Sequence, residues 1–136
     1  MGFTYSSPAA FYDFVIDGTS LRQLLETNDI GVLSDRRSGA EVARELLLER
    51  PSDEQLGGRV QIYGCRECLD IWCGGIAAVV TRQRHSVRWE CIERFQVDYS
   101  DNGEGFVADF VFVPIGSASY EFDLEQYRTT LARFLR

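Results

Sequence analysis

The chain predicts an α+β fold: an antiparallel β-meander sheet with an N-terminal strand, two short helices and a C-terminal amphipathic helix. Two stretches, starting near Ser20 and Ser38, pair a capping residue with apolar side chains at helical spacing. From Arg59 the apolar period falls to two, as side chains alternating across a sheet require, and glycine-rich polar turns interrupt it. Behind Asp123 the helical period returns. The 136 residues, 45% of them apolar, suffice for one domain, 1–136, with a core of its own.

The first strand is expected over residues 11–16, ending in the turn Asp17-Gly18. Ser20 and Gln23 stand at capping-box spacing and start a helix with Leu21, Leu24 and Leu25 on one face. Ser38 and Glu41 repeat that spacing ahead of Val42, Ala43, Leu46 and Leu47. This second helix has to stop near Arg50, because Pro51 disfavours a helical residue before it. Residues 59–63 and 75–82 read as strands either side of a cysteine-rich turn, the second with Ile76, Ala78 and Val80 on one face. After the basic turn at 82–86, Val87, Trp89, Cys91, Phe95, Val97 and Tyr99 alternate with Arg88, Glu90, Arg94, Gln96 and Asp98 in one long strand. Asn102-Gly103 supplies hairpin chemistry, and residues 106–113 return as a strand. Asp123 caps the last helix, with Gln126 at the reciprocal position and Phe122 stapling onto Tyr127. Its buried stripe is Leu124, Tyr127, Leu131 and Phe134.

No apolar run approaches the roughly 18 residues of a membrane span, and no leader precedes the first strand, so a cytoplasmic protein without a membrane partner is expected. In a reducing compartment four cysteines are free, buried or metal-bound rather than bridged. The net charge is −7, and all 14 basic residues are arginine. Between Glu90 and Glu125 nine acidic residues stand against the single Arg94. A field of that sign repels nucleic acid and attracts a basic protein surface.

Cys65, Cys68 and Cys73 lie within nine residues, beside Gly74-Gly75. A C-x-x-C pair is the spacing at which a tight turn presents two thiolates to zinc, and Cys73 adds a third ligand. The fourth is missing. His85 lies at the far end of the following strand, roughly 25 Å away at about 3.3 Å per residue. Cys91 falls on the apolar face of its strand, as a small core residue would. Asp70, water or a second chain is left to close the set. Structural cysteines at the sheet's end are the competing reading. A redox pair would need the C-x-x-C to open a helix after a parallel strand, and the glycine-flanked strands here do not match.

Catalytic constellations are thin. One histidine and no G-x-S-x-G argue against a hydrolase triad, and no glycine loop has phosphate-cradling spacing. Glu90 and Glu93, three apart, are expected to face opposite sides of a regular strand. A non-enzyme is therefore expected. The acidic stretch Asp98, Asp101, Glu104, Asp109 and Glu121, with Asp123 and Glu125 beyond, is a candidate docking face for a basic partner; its alternative is an ordinary solvated surface. Trp89, Phe95, Tyr99, Phe106, Phe110 and Phe112 read as core. Trp72, isolated in a glycine-rich turn, is the aromatic most expected to be exposed and joins the candidate partner-binding set; the equal alternative is that it packs over the cysteines and shields them.

The segment from Tyr63 to Gly74 resembles a motif of small bacterial proteins of about this length, Cys-Pro-Glu-Cys-Gly-Asp-Leu-Gly-Cys-Gly followed by a strand, a Val-x-Trp strand and a Phe-Asp…Tyr helix. Cys65, Glu67, Cys68, Asp70, Cys73 and Gly74 match, as do Val87, Trp89, Phe122, Asp123 and Tyr127; Arg66, Leu69 and Trp72 depart. The resemblance spans the C-terminal half and implies a shared fold, with three cysteines acting together, more than an activity. Composition and charge lead to a non-enzymatic interaction module, an immunity-type antitoxin that neutralises a basic toxin domain. The alternative is a zinc-binding accessory domain built on Cys65, Cys68 and Cys73. Oligomeric state is not legible.

Overall fold

The turn Asp17-Gly18 closes a two-residue hairpin because both residues take positive φ, 50° and 82°, which matches the twist of the strands it joins. The computed structural model describes residues 3–6, 13–34, 39–65, 69–101, 103 and 105–135. In it β1 (Phe3–Ser6), β2 (Asp13–Ile16) and β3 (Thr19–Ser20) form a three-stranded antiparallel sheet, with β2 central. Phe11 and Tyr12, expected at the start of β2, lie outside the described residues, and β1 has no counterpart in the expected elements.

Ser20 caps α1 (Leu21–Leu24), its hydroxyl accepting from the Gln23 N–H at 3.4 Å. Leu21 and Leu25 are buried one turn apart, but Leu24 is left 48% exposed, off the face on which it was expected. After β4 (Ile30–Gly31) comes α2 (Gly39–Leu46); Ser38, its expected cap, lies outside the described residues. The helix stops four residues short of Arg50, and proline is not the cause. Leu48 takes φ 59° and donates to the Glu45 carbonyl, while Glu49 donates to Arg44 at 2.8 Å, the paired bonds of a Schellman ending.

The large antiparallel sheet has the order β4-β5-β6-β7-β8, with β5 (Val60–Gly64), β6 (Gly75–Arg82), β7 (Ser86–Asp101) and β8 (Phe106–Pro114). β9 (Tyr120–Asp123) also pairs with β7. β6 takes one edge of β7, so β9 and β8 share the other, β9 along residues 86–89 and β8 along 93–101. Asp123 then caps α3 (Leu124–Ala132) by accepting from Gln126 at 2.9 Å, and Phe122 stacks on Tyr127 as a staple.

One face of this sheet, the small sheet and all three helices enclose the main core around Trp89, which is fully buried. Phe14 and Phe122 meet its ring edge-on at 5.1 and 5.0 Å. Its indole N–H donates to the Tyr127 hydroxyl at 3.1 Å, which donates in turn to the Leu46 carbonyl at 2.7 Å. That relay ties β7 to α3 and satisfies a carbonyl that the end of α2 leaves without a helical partner. Asp13, also buried, accepts from Tyr63 and Ser20 and joins the small sheet to β5.

Cys91 breaks the regular alternation of β7. Ala77 faces Glu93 whereas Val79 faces Glu90, so Cys91 and Ile92 together oppose one residue of β6. This is a β-bulge, with Cys91 in the left-handed region at φ 52°. The expected core cysteine is therefore exposed, and Ile92 takes the inward position, 3% exposed. Beyond the bulge the odd-numbered residues cross to the opposite face, so Glu93 shares the face of Glu90 instead of opposing it as expected. Phe95 leaves the main core and packs with Leu56 and Ala77 in a second cluster, against which Ile71, Phe110 and Phe112 lean. Of the aromatics expected in a single core, Tyr99 is 61% exposed and Phe110 and Phe112 are half-buried.

Candidate functional site

Past Phe95, β7 loses its β6 neighbour and continues with β8 alone as a two-stranded ribbon. Period two separates its faces. Val97 and Tyr99 share one face with their register partners Phe110 and Ala108, and Asp101 follows on the same side. Gln96, Asp98 and Ser100 share the other with Val111, Asp109 and Val107.

The cysteine segment buttresses the aromatic face. Leu69 donates to the Cys65 carbonyl at 3.0 Å, and Asp70 caps a single 3-10 turn, Ile71–Cys73, by accepting from the Trp72 N–H at 3.1 Å. Gly74 ends that turn at φ 82°, ψ −179°, a conformation open to little but glycine. A Cβ there would stand 2.8 Å from the Phe95 carbonyl oxygen, and one on Gly75 2.3 Å from that of Tyr63. The glycine pair thus lets the turn press against β5 and β7. Trp72 is carried onto the ribbon, its ring 5.1 Å from Phe110, and is still 45% exposed, as expected of it. At the root, Arg59 lies 3.8 Å over the Phe112 ring and donates to Glu93 at 3.0 Å.

The expected acidic residues divide. Asp98 and Asp109 are direct register partners, both exposed, on the face away from Trp72. Asp101 ends β7 and accepts from the Gly103 N–H at 2.9 Å. Glu104 lies outside the described residues. Glu121 is not part of this group: it sits on β9, paired with Arg88 at 3.3 Å, and hydrogen bonds from Ser86 and Arg88 hold its carboxyl below the ordinary range. Between Arg94 and Arg128 the sequence carries no base, and Arg94 itself leans on Asp29 at 4.0 Å. Burial raises the Asp29 carboxyl, against the pull of Arg94 and Arg22.

Cys68 lies outside the described residues, so the three-cysteine metal reading rests on the sequence; among the described residues no three His, Cys, Asp or Glu side chains are grouped to hold a metal. His85 is exposed in the turn beyond the eight-residue β6, its carbonyl accepting from Leu124 at 3.0 Å. A cleft of about 360 Å³, unforeseen in the sequence, lies between the end of α2 and β5, lined by Glu45, Glu49, Arg50, Asp53 and Glu54 among others. Burial raises the Glu45 carboxyl there.

The chain matches no family model, no curated protein and no solved structure. Among the described residues no helix is long and apolar enough to cross a membrane.

The signal for this site was present in the sequence. Ile92 is apolar and Glu93 charged, an inversion of the alternation at the bulge. Phe95, Val97 and Tyr99 restore the same parity only because the opposite face of the ribbon is apolar too.

Proposed function

We propose that this protein is a non-enzymatic interaction module of the immunity type, an antitoxin that binds and neutralises a basic toxin domain. The observation that carries the reading is the partly exposed Trp72–Phe110 pair beside Tyr99, on a ribbon with carboxylates at Asp98, Asp101 and Asp109 and no base. Aromatic anchors of this kind concentrate binding energy, and carboxylates on the same ribbon, Asp98 and Asp109 on its other face, speed encounter with a positive surface. The reading is tested by co-expressing the protein with any toxin encoded beside its gene. A stable complex and protection of the host are expected. Trp72→Ala should weaken the complex by about tenfold or more, as hot-spot truncations do. Asp98→Asn with Asp109→Asn should slow association and flatten its salt dependence. Absence of both complex and protection would remove the reading.

A further inference from the structure

Ile115 donates to the Ile92 carbonyl at 3.0 Å, which continues the β7–β8 register by one step. In an antiparallel pair, residues alternate between bonding the partner strand and pointing their N–H and C=O away from it. Counting back by twos, Val113, Val111, Asp109 and Val107 bond β7. The backbone groups of Ala108, Phe110 and Phe112 therefore point to the outer edge of β8. Pro114, whose missing N–H falls on that same edge, blunts only its end. Among the described residues β8 pairs with β7 alone, so this edge is an open row of donors and acceptors.

We propose that the edge takes a strand from the partner: an extended segment, basic and apolar residues alternating, adds beside residues 108–112. The proposal rests on the docking reading above and deepens it. Charge and period select the occupant. A strand added there continues both ribbon faces, so its side chains alternate between the Asp98–Asp109 side and the side bearing Phe110, Phe112 and Trp72. Arginine or lysine fits the first, valine, isoleucine or leucine the second. A second copy of this chain is disfavoured, because edge-to-edge pairing would bring the Asp109 carboxylates of two proteins of net charge −7 together. Asp109 in mid-edge thus deters self-pairing while admitting a basic strand.

The test uses the intact protein and an acetylated, amidated (Arg-Val)₄ peptide, with calorimetry for affinity and amide hydrogen exchange for location. Exchange at Ala108, Phe110 and Phe112 should slow on binding. Methylating alternate peptide nitrogens should weaken binding by about tenfold or more, from several lost backbone hydrogen bonds. A (Glu-Val)₄ peptide should not bind. Ala108→Pro, which removes an outward N–H and leaves the β7 bonds in place, should match the methylated peptide's loss, with β7 amide protection reporting that the ribbon persists. If that variant misfolds, the methylated peptide decides alone.

Equal affinity for the methylated peptide, or binding without protection at the edge amides, overturns strand addition. Carboxylate-dependent binding of the same peptide would still stand with the docking reading, which fails separately if Trp72→Ala leaves toxin binding unchanged. Concentration-dependent dimers without peptide, abolished by Ala108→Pro, would assign the edge to a second copy and overturn the basic occupant.

Discussion

Neutralising one member of the Asp98–Asp109 pair should stabilise the fold while impairing the docking proposed for it. The two are direct register partners of the kind that exchange both backbone bonds, with Cα atoms about 5.5 Å apart. Their carboxylates, about 6 Å apart, repel by about 0.7 kcal/mol in water-like surroundings. Both side chains are exposed, so no lower dielectric applies. Ions at 0.15 M salt cut the repulsion to about 0.3 kcal/mol. Asp109→Asn should therefore raise Tm by about 1–2 °C in dilute buffer, with the gain nearly gone at 1 M salt. Calorimetric melts of Asp98→Asn, Asp109→Asn and the double variant across a salt series provide the assay. Once either charge is gone the second substitution should add nothing, so the coupling should equal the whole single-site effect. Strict additivity, or a gain that ignores salt, would refute the electrostatic reasoning.

Three further outcomes follow from the geometry. Gly74→Ala should cost about 2 kcal/mol or more in urea unfolding, since it combines a glycine-only backbone conformation with a Cβ placed 2.8 Å from the Phe95 carbonyl. Cys91→Gly should stabilise by about 0.5–1 kcal/mol by relieving the left-handed bulge, and the native Cys91 thiol should react with a disulfide reagent without unfolding. Burial pushes the Tyr127 phenol above its ordinary value, so above about pH 10 the folded state holds a proton that the unfolded chain loses. Stability should be flat below that pH and fall as pH rises above it. Tyr127→Phe should remove that share of the alkaline loss, and at neutral pH should cost about 1–3 kcal/mol by unpairing Trp89 and the Leu46 carbonyl, as denaturant melts would read.

Local chemistry carried much of the architecture. The hairpin turn at Asp17-Gly18, the caps at Ser20 and Asp123, the staple from Phe122 to Tyr127 and the span of β6 each depend on residues within a few positions of one another, and all are found where the chain places them. The exposed Trp72 belongs here too, because a 3-10 turn between Asp70 and Gly74 has no interior of its own to bury it in.

The rest depends on partners far along the chain. β1 and β4 are strands because β2 and β5 lie beside them, and four or two residues hold no period of their own. α2 ends where Leu48 can turn left-handed, an event that competes with, and precedes, the effect of Pro51. The bulge at Cys91 is decided by how β6 and β7 register, so a period-two count along β7 by itself runs straight through it. The sequence by itself determined the fold class, the caps and the acidic charge, all properties of residues and their near neighbours. Only the tertiary structure decided that the long strand has two apolar faces, that Asp98 opposes Asp109, and that Trp72 stands over the β7–β8 ribbon, because each is a relation between strands that pairing alone creates.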